Sequence, residues 1–276
     1  MDPEVCLWKN CGFILNAPEA WRNTCAGPMR QIKGEGMAEE KTLGIVVKTA
    51  DYGENNRMLT LLTPQRGILS VSAAGVRKSG ARLKLAAEPF TYGTYELFAS
   101  PHRYRLIGFS LMDAYYPLRT DLTRLGEGAL MLELCRAAMA PGEDLFRLLV
   151  EGLAYASYSA EIENLSAAFL ARYLGVMGIF PQLERCIYCG KALGEKAYFS
   201  VLEGAVTCGC FLPADARPIR QGTLSALKLL AEGTRMDQIA LPPAGREGAF
   251  RLMEQMVRAH LEAAAHAFDA LSWTRE

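Results

Sequence analysis

The chain has 276 residues, half of them hydrophobic, and its 30 basic and 30 acidic side chains cancel. That length suits one large domain or two to three smaller ones, and the composition excludes a disordered, collagen-like or disulfide-dense chain. No apolar run reaches the roughly 18 residues of a membrane span, and the opening Met-Asp-Pro-Glu is acidic where a signal peptide is basic, so the expected location is the cytoplasm.

Residues 1–36 show neither helical nor strand periodicity. At Met37 the texture changes to strand-like runs, and Lys33-Gly-Glu-Gly36 can be encoded by a purine-rich stretch like a bacterial ribosome-binding site. We therefore read 1–36 as an unstructured leader or a start placed too early, the other reading being a genuine N-terminal extension. From 43 to 113 five short runs rich in β-branched, aromatic and aliphatic residues predict strands: Leu43–Thr49, Met58–Leu62, Ile68–Val76, Phe90–Phe98 and Tyr104–Leu111. Turn residues separate them at Asp51-Tyr-Gly53, Thr63-Pro-Gln-Arg-Gly67, Lys78-Ser-Gly80 and Ser100-Pro-His102. Five strands in so short a span predict a small barrel or sandwich over 37–115.

Beyond residue 116 the period lengthens. Leu118, Leu122, Leu125, Leu130, Leu132 and Leu134 predict a buried helix over about 118–140. Pro141-Gly-Glu-Asp144 opens a second, with Phe146, Leu149, Val150, Leu153 and Tyr155 on its apolar side. A third spans about 163–177, and Ser225–Ala231 and Gly248–Ala270 complete the set. Charge divides at the same place: residues 37–115 hold ten basic and seven acidic side chains, residues 116–276 sixteen and nineteen. A polyanion, if one binds, belongs to the first part.

Within the helical part, Cys186, Cys189, Cys208 and Cys210 form C-x2-C, eighteen residues, then C-x-C. In a reducing compartment, clustered cysteines are metal ligands more often than disulfides. Two short pairs flanking a Gly-containing, strand-like stretch predict a zinc-ribbon-like insertion at about 182–215 with one zinc ion. Four thiolates leave no open coordination position, so the predicted zinc is structural.

Catalytic signatures are largely missing. Gly75-x4-Gly80 starts like a phosphate loop, but Ala81-Arg82 stand where the Lys and hydroxyl belong. His102, His260 and His266 are scattered, and Asp51, Glu54 and Asp113 have no defensible nuclease spacing. We read the chain as a non-enzyme. The segment Gly75–Lys84, "GVRKSGARLK", carries Arg77, Lys78, Arg82 and Lys84 and no acid. Such cations neutralise phosphates and release counterions, and Tyr92, Phe98 and Tyr104 are candidate base platforms. Lys48, Arg57, Arg66, Arg103 and Arg105 complete the candidate DNA-binding set.

The stretch "GIVVKTADYGENNRMLTLLTPQRGILSVSAAGVRKSGARLKLAAEPFTYGTYELF" resembles the N-terminal domain of the bacterial RecO family of recombination mediators. The features that match are Lys-Thr closing the first strand, Asp-Tyr-Gly-Glu-Asn, Leu-Leu-Thr, Arg-Gly, the small-residue strand before the basic segment, and the Pro-Phe strand. The resemblance extends over about 37–272, with C-x-C where the family usually has C-x2-C. It implies an OB-fold followed by a helical domain with an inserted zinc finger. It further implies a protein that anneals single strands and helps load recombinase onto DNA coated with single-strand-binding protein. It implies as partners single- and double-stranded DNA, the recombination protein RecR and the acidic, Phe-ended tail of single-strand-binding protein. For that tail the helical placement suggests Arg136 and Arg172. The alternative is a protein-only zinc adaptor whose basic loop is plain surface.

Overall fold

A computed structural model of the chain describes residues 38–101, 103–138, 142–194, 196–232, 235–236 and 239–269. The sequence expectations for residues 1–36, for His102 and for Pro141 fall outside these.

Five strands, β1 (Ala38–Tyr52), β2 (Asn56–Thr63), β3 (Gly67–Ala73), β4 (Tyr92–Ser100) and β5 (Arg103–Asp113), close into a barrel in the order β1-β2-β3-β5-β4. The first half of β1 pairs with β4 and the second half with β2, both antiparallel, while β3 and β5 run parallel. The changeover is a bulge: the register steps from Val46 opposite Leu61 to Lys48 opposite Thr60, so Val47 is the extra residue. Such a bulge bends and twists a strand, which a small barrel requires. It also buries Ile45, Val46 and Val47 in succession. Val46 enters the barrel core with Leu59, Leu61, Val71, Tyr95, Leu97 and Leu106, whereas Ile45 and Val47 join the core of the helical part. Tyr95 is fully buried at the barrel centre, and its hydroxyl, bonded to the carbonyls of Thr91 and Ala86, is satisfied there.

Helices α1 (Leu122–Ala137), α2 (Glu143–Tyr158), α3 (Leu165–Val176), α4 (Gln221–Glu232) and α5 (Pro243–His260) follow. The Asp121 carboxylate caps α1 by accepting the Arg124 amide at 2.9 Å. Glu143 and Asp144 sit in the first turn of α2, where acids complement the helix dipole. The Phe146, Leu149, Val150, Leu153 and Tyr155 side chains are all in the core, as their spacing predicted.

Phe90 fastens the helical part to the barrel. Its backbone is left-handed (φ 67°), its amide donates to Val46 O at 3.0 Å, and its ring lies close to Gly128 in α1. A bulky residue at positive φ is strained, and here that strain is held by burial in the joint core. Tyr92 and Phe146 meet edge-on across the same junction, ring centroids 6.1 Å apart.

Two expectations for the helices are corrected. Leu118 is buried in a 3-10 turn (Tyr116–Arg119) rather than in α1, and Leu122 is 65% exposed, because the Asp121 cap starts the helix only there. The terminal helix is not continuous from Gly248 to Ala270. The chain leaves helical geometry at Leu261 (φ −130°, ψ 68°), and a 3-10 turn, Glu262–Phe268, brings Phe268 against Phe250.

Between α3 and α4 lies a three-stranded sheet, β7-β6-β8, formed by β6 (Ala197–Ser200), β7 (Ala205–Thr207) and β8 (Arg217–Ile219). Leu183, Phe199 and Val206 from this segment belong to the helical core, so the segment is packed into that core and not merely tethered to it.

Candidate nucleic-acid interface and metal centre

The β3–β4 connection carries Gly75–Lys84 as a chain of tight turns. Gly75 and Gly80 take positive φ, and the amides of Lys78, Ala81 and Lys84 donate to the carbonyls three residues back. Val76 and Leu83 anchor it in the barrel core, so Arg77, Lys78, Arg82 and Lys84 are left exposed. The loop is tied to the β1–β2 hairpin. The Arg77 amide donates to Asn55 O at 3.1 Å, and the Gly75 amide donates to Asn56 Oδ1 at 2.9 Å. The Arg77 guanidinium donates to Gly53 O and pairs with Asp51, both at 3.3 Å. Lys78, Arg82 and Lys84 pair with no carboxylate among the described residues.

Arg57 is different. Its guanidinium meets Glu88 at 2.7 Å, Asp51 at 3.1 Å and Ala87 O at 3.0 Å, and its side chain is only 23% exposed. The bond to Glu88 chiefly, with Asp51 adding to it, raises its pKa. Its charge is engaged in holding the hairpin to the β3–β4 connection. Arg66 pairs with Glu40 and donates to the Tyr104 hydroxyl, both at 2.7 Å, while its guanidinium lies 5.9 Å from the Tyr104 ring centre. Tyr104 is half-buried against the barrel core.

Tyr92 needs correction outright. It is 5% exposed and wedged against Phe146, and desolvation pushes its hydroxyl up to about 12. No base can stack on a ring enclosed in the core. The exposed aromatic that sequence reasoning passed over is Tyr52, 64% exposed at the end of β1. The signal was there: an aromatic inside the turn Asp51-Tyr-Gly53 has no core to enter.

Lys48, Arg103 and Arg105 are all exposed. In register, Lys48 lies beside Thr60 and then Ser70; Ala50, Met58, Ser72 and Arg105 form the next line across β1, β2, β3 and β5. Neither line contains a carboxylate. Arg105 lies over Phe98 at 5.5 Å. This band leads at the end of β3 directly into the basic loop.

The cysteines come together in the second part. The Cys186–Cys189 turn is hydrogen-bonded to β7 by Ile187 N, which donates to Val206 O, and just before the turn Gln182 O accepts from Val206 N. Gly209, at φ 91°, lets the chain double back between Cys208 and Cys210, and a Cβ there would meet the Tyr198 ring. That turn makes C-x-C sufficient where two intervening residues are usual. Cys186 and Cys210 are 3.6 Å apart at sulfur, as are Cys189 and Cys208, and all four sulfurs lie within 4.8 Å of one another. Tetrahedral metal–thiolate bonds of about 2.3 Å set sulfurs roughly 3.8 Å apart, so the four fit the ligand shell of a metal ion. Backbone amides, that of Cys208 first, lower the Cys186 pKa to about 5, favouring thiolate, whereas sharing with Cys186 raises Cys210 to about 12. Thr207, nearly fully buried, braces the site by donating to Phe211 O and accepting from Gly209 N. Among the described residues, no other group of three or more His, Cys, Asp or Glu side chains is placed to hold a metal. Asp51 is held by arginines and Asp113 accepts from the Tyr158 hydroxyl.

Of the two arginines proposed for a partner tail, Arg172 lines a groove of about 240 Å³ with Ala171, Gly175, Phe180, Leu230 and Ala231. It is paired there with Glu151 at 3.0 Å. Arg136 pairs with Glu133 on its own helix and is not part of that groove.

Two family models match the chain: recombination protein O N terminal over residues 37–115 and recombination protein O C terminal over residues 119–267. The chain belongs to the RecO family. A DNA repair protein RecO of Anaeromyxobacter dehalogenans is 35% identical over 222 residues, which is 76% of this chain and 87% of that protein. The DNA repair protein RecO of Bacillus pumilus is 33% identical over 175 residues, 62% of this chain and 68% of the relative. That of Myxococcus xanthus is 32% identical over 223 residues, 79% of this chain and 90% of the relative. These RecO chains are named for DNA repair and not for an enzymatic reaction. No helix among the described residues is long and apolar enough to cross a membrane.

Proposed function

We propose that the chain is a non-enzymatic DNA-binding recombination mediator acting in DNA repair. It anneals complementary strands and helps load recombinase onto DNA coated with single-strand-binding protein. The observation that carries this reading is the exposed loop cations, three without a carboxylate partner among the described residues, next to a carboxylate-free band on the barrel of a RecO-family chain. In this reading residues 37–115 are an OB-type DNA-binding domain, supported by the closed five-stranded order β1-β2-β3-β5-β4. Arg77, Lys78, Arg82 and Lys84 hold single- or double-stranded DNA by its phosphates, with Lys48, Arg103 and Arg105 extending the track. Residues 116–276 are a helical domain for protein contacts, and 182–215 a ribbon-like insertion holding one structural zinc through Cys186, Cys189, Cys208 and Cys210. The protein works in the cytoplasm, on nucleoid DNA, with RecR as partner. The groove at Arg172 takes the Phe-ended acidic tail of single-strand-binding protein: the Phe ring meets Phe180 and Leu230, and the tail carboxylates compete with Glu151 for the guanidinium.

Annealing of complementary oligonucleotides, with and without single-strand-binding protein, tests the reading. The expected result is acceleration of both reactions without nucleotide, together with a gel shift of a single-stranded 30-mer. A protein that shifts no DNA but still binds partners is the zinc adaptor instead. A fluorescent tail peptide should bind with micromolar affinity, and Arg172→Ala should weaken it about tenfold or more, whereas Arg136→Ala should leave it unchanged. Equal effects of the two substitutions would remove the groove at Arg172 from this account.

A further inference from the structure

We infer that Tyr52 is a base-stacking subsite built into the basic loop's own frame, so that the barrel holds a strand by a base as well as by its phosphates. The inference rests on the DNA-binding reading above and adds to it the part of the strand that is recognised.

Tyr52 is 64% exposed at the tip of the β1–β2 hairpin, and its hydroxyl makes no hydrogen bond among the described residues. Nothing in the fold accounts for a large apolar ring there. The neighbouring turn residues, Gly53 and Glu54, are also exposed. The hairpin is not free to wander. Three bonds join it to the cationic loop: Arg77 N to Asn55 O, Gly75 N to Asn56 Oδ1, and the Arg77 guanidinium to Gly53 O. Arg57 locks it from the other side through Asp51 and Glu88. The hairpin that carries the exposed ring and the loop that carries the cations are therefore fixed to each other, Tyr52 following Asp51, with which Arg77 is paired. An aromatic face stacks on any base, and only an unpaired base offers both of its own faces. A duplex presents its phosphates to the loop but keeps its bases stacked. Tyr52 is thus the group that would make the interface prefer single strands, and Tyr92 and Tyr104, being enclosed or half-buried, cannot replace it.

The test measures binding of the full chain to a fluorescent single-stranded 30-mer, to a fully abasic strand of the same length, and to a duplex. Tyr52→Ala should weaken single-strand binding roughly five- to a hundredfold, the span of base–aromatic stacking energies. It should leave duplex binding and the salt slope as they were, since no charge is lost. Tyr52→Trp should restore affinity. On the abasic strand, parent and Tyr52→Ala should converge. An equal loss on natural, abasic and duplex DNA would overturn the inference, because the ring would then serve only the shape of the hairpin. So would unaltered binding by Tyr52→Ala while alanines at Arg77, Lys78, Arg82 and Lys84 abolish it, a result that leaves the interface itself standing. If the loop alanines also change nothing, the interface reading falls and this subsite with it.

Discussion

Cys186→Ser is expected to abolish metal binding at the cysteine cluster and to unfold more than the insertion that carries the cluster. The purified parent should carry about one zinc per chain, and its four clustered thiols should stay unreactive until a chelator is added. Zinc binding by four thiolates is linked to folding by about 10–16 kcal/mol of apparent free energy, as large as the whole stability of a typical domain, about 5–15 kcal/mol. Cys186 is the most enclosed of the four sulfurs, its amide and carbonyl are bonded to Lys191 and Gly190, and its thiol lies 3.6 Å from the Thr207 hydroxyl. Serine offers a poor zinc ligand in a site shaped for sulfur. An insertion hung from the helices by its two ends would then unfold alone. Here Leu183, Phe199 and Val206 are shared with the helical core, so loss of the metal should lower the melting temperature of the helical part as well. Hydrogen exchange should rise first over 182–219 and next over α3 to α5. The interior of the barrel is a separate cluster around Tyr95 and Leu97, so single-strand affinity should persist. The readouts are zinc release against an indicator dye, exchange by mass spectrometry, and a binding isotherm. Metal-free protein of parental stability, with four freely titrating thiols, would refute the site.

How much of this was legible in the sequence depends on how local each feature is. All five strands form near the predicted places, because a strand's face and its turns are written within a few neighbouring positions, although the third stops at Ala73 rather than Val76 and Phe90 falls in a left-handed turn before the fourth. The bulge at Val47 was not legible: Ile45-Val46-Val47 is one apolar run, and nothing in it says which residue is the extra one. The stop at Leu261 is equally silent, lying in a helical pattern without Gly or Pro. The cysteines could be read as a set, and Gly209 explains why the shorter spacing closes. What sequence could not supply was the partner of each side chain. Tyr92 looked like a base platform because its cover, Phe146, comes from a helix whose docking on the barrel is a tertiary fact. Arg57 looked like one more free cation, yet Glu88 takes it up from across the β3–β4 connection. Tyr52 failed in the other direction, an aromatic passed over because turn residues were read only as punctuation.

The largest effect on DNA binding is expected from replacing Arg77, Lys78, Arg82 and Lys84 together by Ala. Each phosphate neutralised on a single strand contributes about −0.7 to the slope of log affinity against log salt. Lys78, Arg82 and Lys84, which have no carboxylate to leave among the described residues, should together account for about 2 units. Arg77 should add less than its share, since it must give up Asp51 to engage a phosphate. The quadruple variant should therefore flatten the slope by roughly 2–3 units, and by a similar amount for every sequence, because phosphates carry no base information. Stability separates the four. Lys78, Arg82 and Lys84 are surface side chains whose loss should stay within about ±0.5 kcal/mol. Arg77 also holds the hairpin at Gly53, and its truncation should cost up to about 1 kcal/mol, the upper end for an exposed ion pair. Arg57 does not belong in this series. Arg57→Ala would strip Glu88 of its partner, leave Asp51 with Arg77 alone and loosen the frame, confusing a folding defect with a binding one. A folded quadruple variant with the parent's affinity and slope would return the loop to ordinary surface. The DNA track would then have to run over Lys48, Arg103 and Arg105 alone, since Arg57 and Arg66 are held by their own carboxylates.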